Sequence, residues 1–277
     1  MRVSALRRTL LTTLLASWCV APPAAAPQAP DLDSLRAAAE GGDADAQYEL
    51  AGLYSRPDGP VAPDPAETVR WLRRAAAQGH APAQTSLGMY YLAGEGVDPD
   101  PRAAARWWRL AAERGNAVAQ YNLGVLYQGV PAPFRTDADP PVDHAEAVRW
   151  LSLAAAQDQV QAIMTLAIKY RDGDGIPQTP GEAFRWFLRA SELGVVEAMG
   201  EVGSMYAAGR GVERDDLEAY RWLHLATMHS AGGDREVLLI DRETVAERLT
   251  ADEIARAERD ADAWTPERPG TSAAPAR

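Results

Sequence analysis

Tryptophan recurs at an almost constant interval along this 277-residue chain. Five of the eight tryptophans are separated by steps of 36, 43, 36 and 36 residues; they are Trp71, Trp107, Trp150, Trp186 and Trp222. A period of about 20 to 50 residues is typical of stacked repeats, in which each unit buries its apolar face against its neighbours. The spacing therefore predicts a stack of similar units rather than one central core.

Each unit begins with a helix, here called helix A, that carries alanine, an aliphatic residue and tyrosine four residues apart. The aliphatic residues are Leu50, Leu87, Leu123, Leu166 and Val202. The tyrosines are Tyr54, Tyr91, Tyr127, Tyr170 and Tyr206. This spacing places the three side chains on one stripe of a helix.

The tryptophan lies on a second helix, helix B, between two small residues. The turns that join helix A to helix B contain Gly-x-Gly followed by valine or isoleucine, at residues 94–97, 173–176 and 209–212. Glycine adopts positive φ at low cost, so it ends a helix and reverses the chain. The pattern predicts an all-α fold, an α/α solenoid of about five two-helix repeats in which neighbouring repeats cover the tryptophan and tyrosine rings. On this reading, Trp186→Ala costs about 3–5 kcal/mol.

The unit A-x-x-x-L-G-x-x-Y-x-x-G-x-G-V, followed by A-x-x-W-x-x-x-A-A-x-x-G, resembles the Sel-one-like repeat (SLR), a relative of the tetratricopeptide repeat. The resemblance covers about residues 46–230 and implies a superhelical solenoid whose helix A lines a concave, partner-binding face. The first repeat departs from the pattern with PDGPV at 57–61, and the third has seven extra residues between its helices and Asp158 in place of the closing glycine.

The two ends of the chain differ from the repeats. Residues 1–26 carry Arg2, Arg7 and Arg8 before an apolar stretch and an Ala/Pro segment, which predicts a signal peptide. We expect residues 27–33 to be a linker, 34–230 to be the solenoid with an N-terminal capping helix, 231–264 to be a C-terminal helical cap, and 265–277 to be a flexible tail. The protein is then exported, to the periplasm or beyond the cell.

Charge and apolar length restrict the partners. The formal charge of −11 becomes −14 without residues 1–26, which hold three arginines and no acid. Such a surface repels a phosphate backbone, so we expect no nucleic acid partner. The apolar stretch at 9–21 is too short to span about 30 Å of hydrocarbon, so we expect no stable membrane span after signal removal.

No catalytic, cofactor or metal site is expected. None of the four histidines lies in a metal-ligand motif, and the sequence has no Gly-x-Ser-x-Gly. The run Asp172-Gly173-Asp174-Gly175 resembles the start of a calcium loop, but Ile176 and Ala183 occupy later ligand positions. A cell-wall or β-lactam-directed hydrolase stays open as an alternative, as does a secreted host-interaction factor.

Partner binding is the expected function, as an adaptor of the bacterial cell envelope. By the repeat alignment, the candidate contact residues on helix A are Tyr48, Thr85, Met89, Tyr121, Asn122, Val125, Met164 and Ile168. Aromatic and methionine side chains suit adaptable contacts with a protein or peptide partner. The alternative is that several of these side chains are covered by neighbouring repeats. Phe134, in the long loop of the third repeat, is a second candidate contact.

Overall fold

The computed structural model describes residues 32–129 and 139–267. The expected signal peptide, most of the expected linker, Phe134 and residues 268–277 of the expected tail lie outside these ranges. Within them the chain forms thirteen helices and no strand. The fold class predicted from the tryptophan period is therefore confirmed for the part of the chain that the structure describes.

The helices are numbered in chain order. They are α1 (Leu32–Glu40), α2 (Ala44–Ser55), α3 (Pro65–Ala77), α4 (Ala81–Ala93), α5 (Pro101–Glu113), α6 (Ala117–Gln128), α7 (His144–Ala155), α8 (Val160–Asp172), α9 (Pro180–Glu192), α10 (Val196–Ala208), α11 (Asp216–His229), α12 (Gly232–Ala246) and α13 (Ala251–Asp262). Helices α2 to α11 form five A–B pairs, with α1 before them and α12 and α13 after them.

The chain divides into two compact parts, the first ending at Trp150 and the second starting at Leu151. In the first part, α1 packs on α2, α2 on α3, α3 on α4, α4 on α5 and α5 on α6. In the second, α8 packs on α9, α9 on α10, α10 on α11, and α11 on both α12 and α13. Pairing between consecutive helices is the contact pattern of an α/α solenoid.

Helix B begins in the same way in each repeat. The backbone N–H of the residue before the helix donates to the carbonyl of the repeat tyrosine, as in Asp64 to Tyr54 at 2.9 Å and Asp215 to Tyr206 at 3.2 Å. The side chain of that aspartate then accepts from backbone N–H groups of the first helical turn, in both cases. The cap satisfies donors that a helix start leaves unpaired. Thr179 lacks this side-chain bond.

The two glycines of the Gly-x-Gly turn have different tasks. Gly94 has φ of 70° and ends α4 in the left-handed conformation. Gly96 has φ of 64° and lies against the start of α3, where an added Cβ would be 2.2 Å from the Pro65 carbonyl oxygen. Gly211 has the same relation to Pro180, also at 2.2 Å. The second glycine is therefore required by close approach to the preceding helix B as well as by its φ.

The five aligned tryptophans are not equally buried. Trp71, Trp150 and Trp222 are buried, whereas Trp107 and Trp186 are partly exposed, against expectation. In those two repeats the next residue is aromatic and fully enclosed: Trp108 is 0% exposed and Phe187 is 1% exposed. We infer that the second ring takes the interior volume which the aligned tryptophan fills elsewhere. The repeat tyrosines are half-buried in every repeat.

The C-terminal helices pack on the last repeat. Thr250 and Glu253 form a capping box at the start of α13. Val245 and Ala257 join Tyr220 in one buried cluster. The indole of Trp264 meets that of Trp222 edge to face, with ring centroids 6.3 Å apart. Trp264 thus folds back onto the last helix B.

Candidate partner-binding surface

Three of the eight candidate contact residues are buried. Thr85 hydrogen-bonds to the Ala81 carbonyl and lies 3.3 Å from the Asn116 side chain. Asn122 is 4% exposed and donates to the Met89 sulfur at 3.7 Å. Tyr121 is also buried. All three are therefore packing positions rather than the surface positions expected from the repeat alignment, and Asn122 packs on Met89 of the preceding repeat.

In the first compact part, Tyr48, Met89 and Val125 stay half-exposed on α2, α4 and α6. The contacts described above between α4 and α6 show that these A helices are neighbours. The Tyr48 ring lies 4.9 Å from the His80 ring at the start of α4. The three side chains are called the A-face here. Each remains partly accessible, so together they offer apolar contact area to a partner.

Acidic side chains border the A-face at its α2 end. Asp45 has an 86% exposed side chain and lies 3.0 Å from His80 Nε2, and Glu49 is exposed on the same helix. An apolar strip with an acidic border favours a segment that carries apolar and basic side chains.

In the second compact part, Met164 is half-buried and Ile168 is 39% exposed on α8. The next A helix, α10, is covered by the chain itself. An added Cβ at Gly200 would be 2.8 Å from Leu238 of α12. Gly200 occupies the repeat position of Met164, so the C-terminal cap closes this helix face in the last repeat.

Sequence reasoning missed a row of buried glutamines. The side chains of Gln47, Gln84 and Gln120 each donate to a carbonyl at the end of the preceding helix, at 2.9, 3.0 and 3.1 Å. Buried side-chain amides paired in this way fix the angle between consecutive helices. The dipeptide Ala-Gln at the start of helix A in three repeats was the available signal.

Arginine precedes each aligned tryptophan, which sequence reasoning also missed. Four of the five pair with a glutamate three residues earlier, from 2.6 to 3.0 Å; they are Arg70, Arg149, Arg185 and Arg221. Three of them also lie over the following indole, with 4.3 to 4.7 Å to the ring centroid; they are Arg70, Arg149 and Arg221. These four arginines are thus paired with glutamates of their own helix B, and three of the guanidinium groups also lie against an indole ring.

Two side chains that could act in catalysis or metal binding, Lys169 and His224, are engaged in packing. Lys169 is buried and paired with Asp174 at 2.9 Å, which gives the Asp-Gly-Asp turn a structural use. His224 stacks on Tyr220, and both burial and Arg242 lower the pKa of its imidazole. Among residues 32–129 and 139–267, no cluster of three metal-ligating side chains occurs. In the same ranges, no helix is long and apolar enough to cross a bilayer.

The helix pattern has counterparts among known proteins. The family model described as Sel1 repeat matches residues 44–80, 81–116, 117–159, 160–195 and 196–230. Among solved structures, the chain is similar to a protective antigen of uropathogenic Escherichia coli strains with an SLR fold, at 28% identity and a TM-score of 0.62. That match covers 83% of this chain and 47% of the other, so the chain spans about half the length of the Escherichia coli protein.

A Sel1 repeat protein from Oxalobacter formigenes is similar at 24% identity and a TM-score of 0.61, over 80% of this chain and 88% of that one. No curated protein matches the chain. The five matched segments correspond to the five A–B pairs, which identifies each pair as one repeat of this type.

Proposed function

The chain belongs to the Sel1 repeat family, and we propose that it is an exported, non-catalytic adaptor of the bacterial cell envelope. Sel1 repeat proteins are generally scaffolds for protein–protein interaction. Export is inferred from residues 1–26, and the protective-antigen role of the Escherichia coli relative favours it. The observation that carries the binding proposal is the A-face, an apolar row in an otherwise acidic protein.

The A-face sets the chemistry and the length of the partner segment. Packed helix axes lie about 8–10 Å apart, so three neighbouring A helices extend over about 20 Å. An extended chain covers this distance with about six residues, at about 3.3 Å for each residue. We therefore propose that the partner contributes a short extended segment with alternating apolar and basic side chains.

Variants on the A-face test this proposal against variants on helix B. Met89→Glu with Val125→Glu places two charges in the apolar row, whereas Leu110→Glu with Leu153→Glu places two charges on exposed helix B positions. In a crosslinking pull-down from the envelope fraction, we expect the A-face variant to recover the partner about tenfold less well than the helix B variant. Unchanged circular dichroism would show that both variants are folded.

Partners recovered equally by the two variants would contradict the A-face assignment. A buried pair such as Tyr121 and Asn122 is unsuitable for this test, because substitution there disturbs the packing between repeats. Export has its own test, in which residues 1–26 are fused to a reporter enzyme that is active only outside the cytoplasm. An inactive fusion would contradict export and leave the binding proposal standing.

The two alternative functions, a hydrolase and a secreted host-interaction factor, are tested separately. The Sel1 repeat family consists of non-catalytic repeat proteins. Turnover of a β-lactam or of peptidoglycan by the purified chain would overturn the adaptor proposal. Recovery of the protein from the culture medium rather than from the periplasm would indicate that the partner lies outside the cell.

A further inference from the structure

The segment that follows α13 returns to the second compact part and docks on it. Trp264 contacts Trp222 on α11, and Pro266 lies beside Gly194, where an added Cβ would be 3.1 Å from its side chain. The backbone N–H of Glu267 donates to the Glu192 carbonyl at 2.8 Å, and its carboxylate pairs with Arg189. Residues 264–267 therefore make an aromatic, a backbone and an ionic contact within four residues.

Arg189, the cation that pairs with the Glu267 carboxylate, is buried. Its side chain is enclosed, and the residue is 3% exposed. Asp158 lies 2.7 Å and Glu192 lies 3.2 Å from the guanidinium nitrogens. Burial alone lowers the pKa of a guanidinium, but the hydrogen bonds to Glu267, Asp158 and Glu192 outweigh it and raise the pKa of Arg189. The cation therefore stays charged and oriented.

The repeat pattern was altered at this point. Asp158 replaces the glycine that closes helix B in the first, second and fourth repeats, and it keeps the positive φ of that turn at 57°. This conformation is unfavourable for aspartate, and the ion pair with Arg189 compensates for it. At the position of Arg189, the second, third and fifth repeats have leucine, and the first has the exposed Arg74, preceded by Gly42 where the fourth repeat has Asp158. The buried pair of Arg189 with Asp158 is thus specific to the fourth repeat.

The docked segment is held by few contacts. Thr265 and Pro266 are exposed, and the Glu267 side chain remains 43% accessible. Three carboxylates share a single guanidinium, so the site carries excess negative charge when the segment is bound. A partner segment that makes the same contacts with more apolar area would compete with residues 264–267.

We propose that Arg189, Trp222 and the turn at Gly194 form a peptide-binding site, which the chain occupies with its own residues 264–267. Its ligand is an extended partner segment with an aromatic side chain followed three residues later by a carboxylate. The aromatic ring meets Trp222, and the carboxylate completes the shell around Arg189. Binding at this site releases the C-terminal segment. The site is separate from the A-face, and its existence does not depend on the function proposed above.

The test uses a full-length variant, called the opened chain, whose own residues 264–267 are altered so that they no longer fill the site. Trp264→Ala with Glu267→Ala removes both side-chain contacts of the tethered segment. The probe is a fluorescent peptide with the sequence of residues 260–267, DADAWTPE, amidated at its end. We expect the opened chain to bind this peptide at least tenfold more tightly than the unaltered chain does, because the unaltered chain's own segment competes at a high effective concentration.

Changes in the peptide keep the test independent of protein folding. Replacing the peptide glutamate with glutamine, or its tryptophan with alanine, is expected to weaken binding about tenfold. Replacing the two residues between them with serine and alanine is expected to leave binding within about threefold. Failure of the native peptide to bind the folded opened chain would overturn the site. If only the native peptide binds, and the peptide with serine and alanine between tryptophan and glutamate does not, the proposal that a partner segment uses this site is overturned.

Discussion

Gly88 lies directly under the indole of Trp108, and its replacement by alanine measures how closely α4 and α5 must approach. A Cβ added at Gly88 would lie 2.3 Å from Nε1, 2.5 Å from Cδ1 and 2.7 Å from Cε2 of Trp108. Non-bonded carbon atoms prefer about 3.5–4.0 Å, so the ring has to move by about 1 Å. Trp108 is fully enclosed and donates from Nε1 to the Thr85 carbonyl at 2.9 Å, which resists that movement.

Three effects decide the size of the change. Overpacking a well-filled core costs about 1–3 kcal/mol. Weakening the buried hydrogen bond of Trp108 costs about 0.5–1.5 kcal/mol more. Alanine in a helix interior returns about 1 kcal/mol relative to glycine. We therefore expect Gly88→Ala to lower the free energy of unfolding by about 1–3 kcal/mol, since the steric cost exceeds the gain in helix propensity.

Gly52 provides a matched control on α2. It is also a glycine inside a helix A, but a Cβ added there meets no atom within 4 Å. Gly52→Ala should raise the free energy of unfolding by up to about 1 kcal/mol. Urea unfolding followed by circular dichroism compares the two variants, and tryptophan fluorescence shows whether the repeats unfold together. A midpoint for Gly88→Ala at or above that of the unaltered chain would refute the close-approach argument.

The remaining predictions concern packing, capping and protonation. Phe187→Ala should cost about 3–5 kcal/mol and Trp186→Ala less, since Phe187 is enclosed and Trp186 partly exposed; equal urea midpoints would contradict this. Asp215→Ala should cost about 1 kcal/mol, whereas Thr179→Ala, at a position without a side-chain cap bond, should change the melting temperature little. The pKa of His224 is lowered in the folded state, so stability is full above its ordinary pKa of about 6.5 and is lost as the pH falls below that value. His224→Gln should therefore reduce the drop in urea midpoint between about pH 7 and pH 5, and an unchanged drop would place the titration elsewhere.

The helices were predictable because their signals are local. The four-residue spacing of alanine, leucine and tyrosine fixes a helical stripe without reference to any other segment. The Thr250–Glu253 capping box is likewise contained within four residues. Burial was less predictable. Trp107 and Trp108 are adjacent in sequence, and only the volume available between helices determines which of the two rings is enclosed.

Where the exposed surface of the A helices ends depends on contacts that do not recur from repeat to repeat. Repeat alignment treats all five A helices as equivalent, yet Leu238 of α12 covers Gly200 on α10. The sequence around Leu238 predicts a helix but does not indicate which helix packs against it. The contact joins a residue outside the repeats to a residue inside them, so the repeat alignment does not include it. The small residue at Gly200, where other repeats have Tyr48, Thr85 or Met164, is the one local trace of this contact. Glycine admits the α12 side chain there, and for that reason the chain's own cap covers this face of helix A in the last repeat.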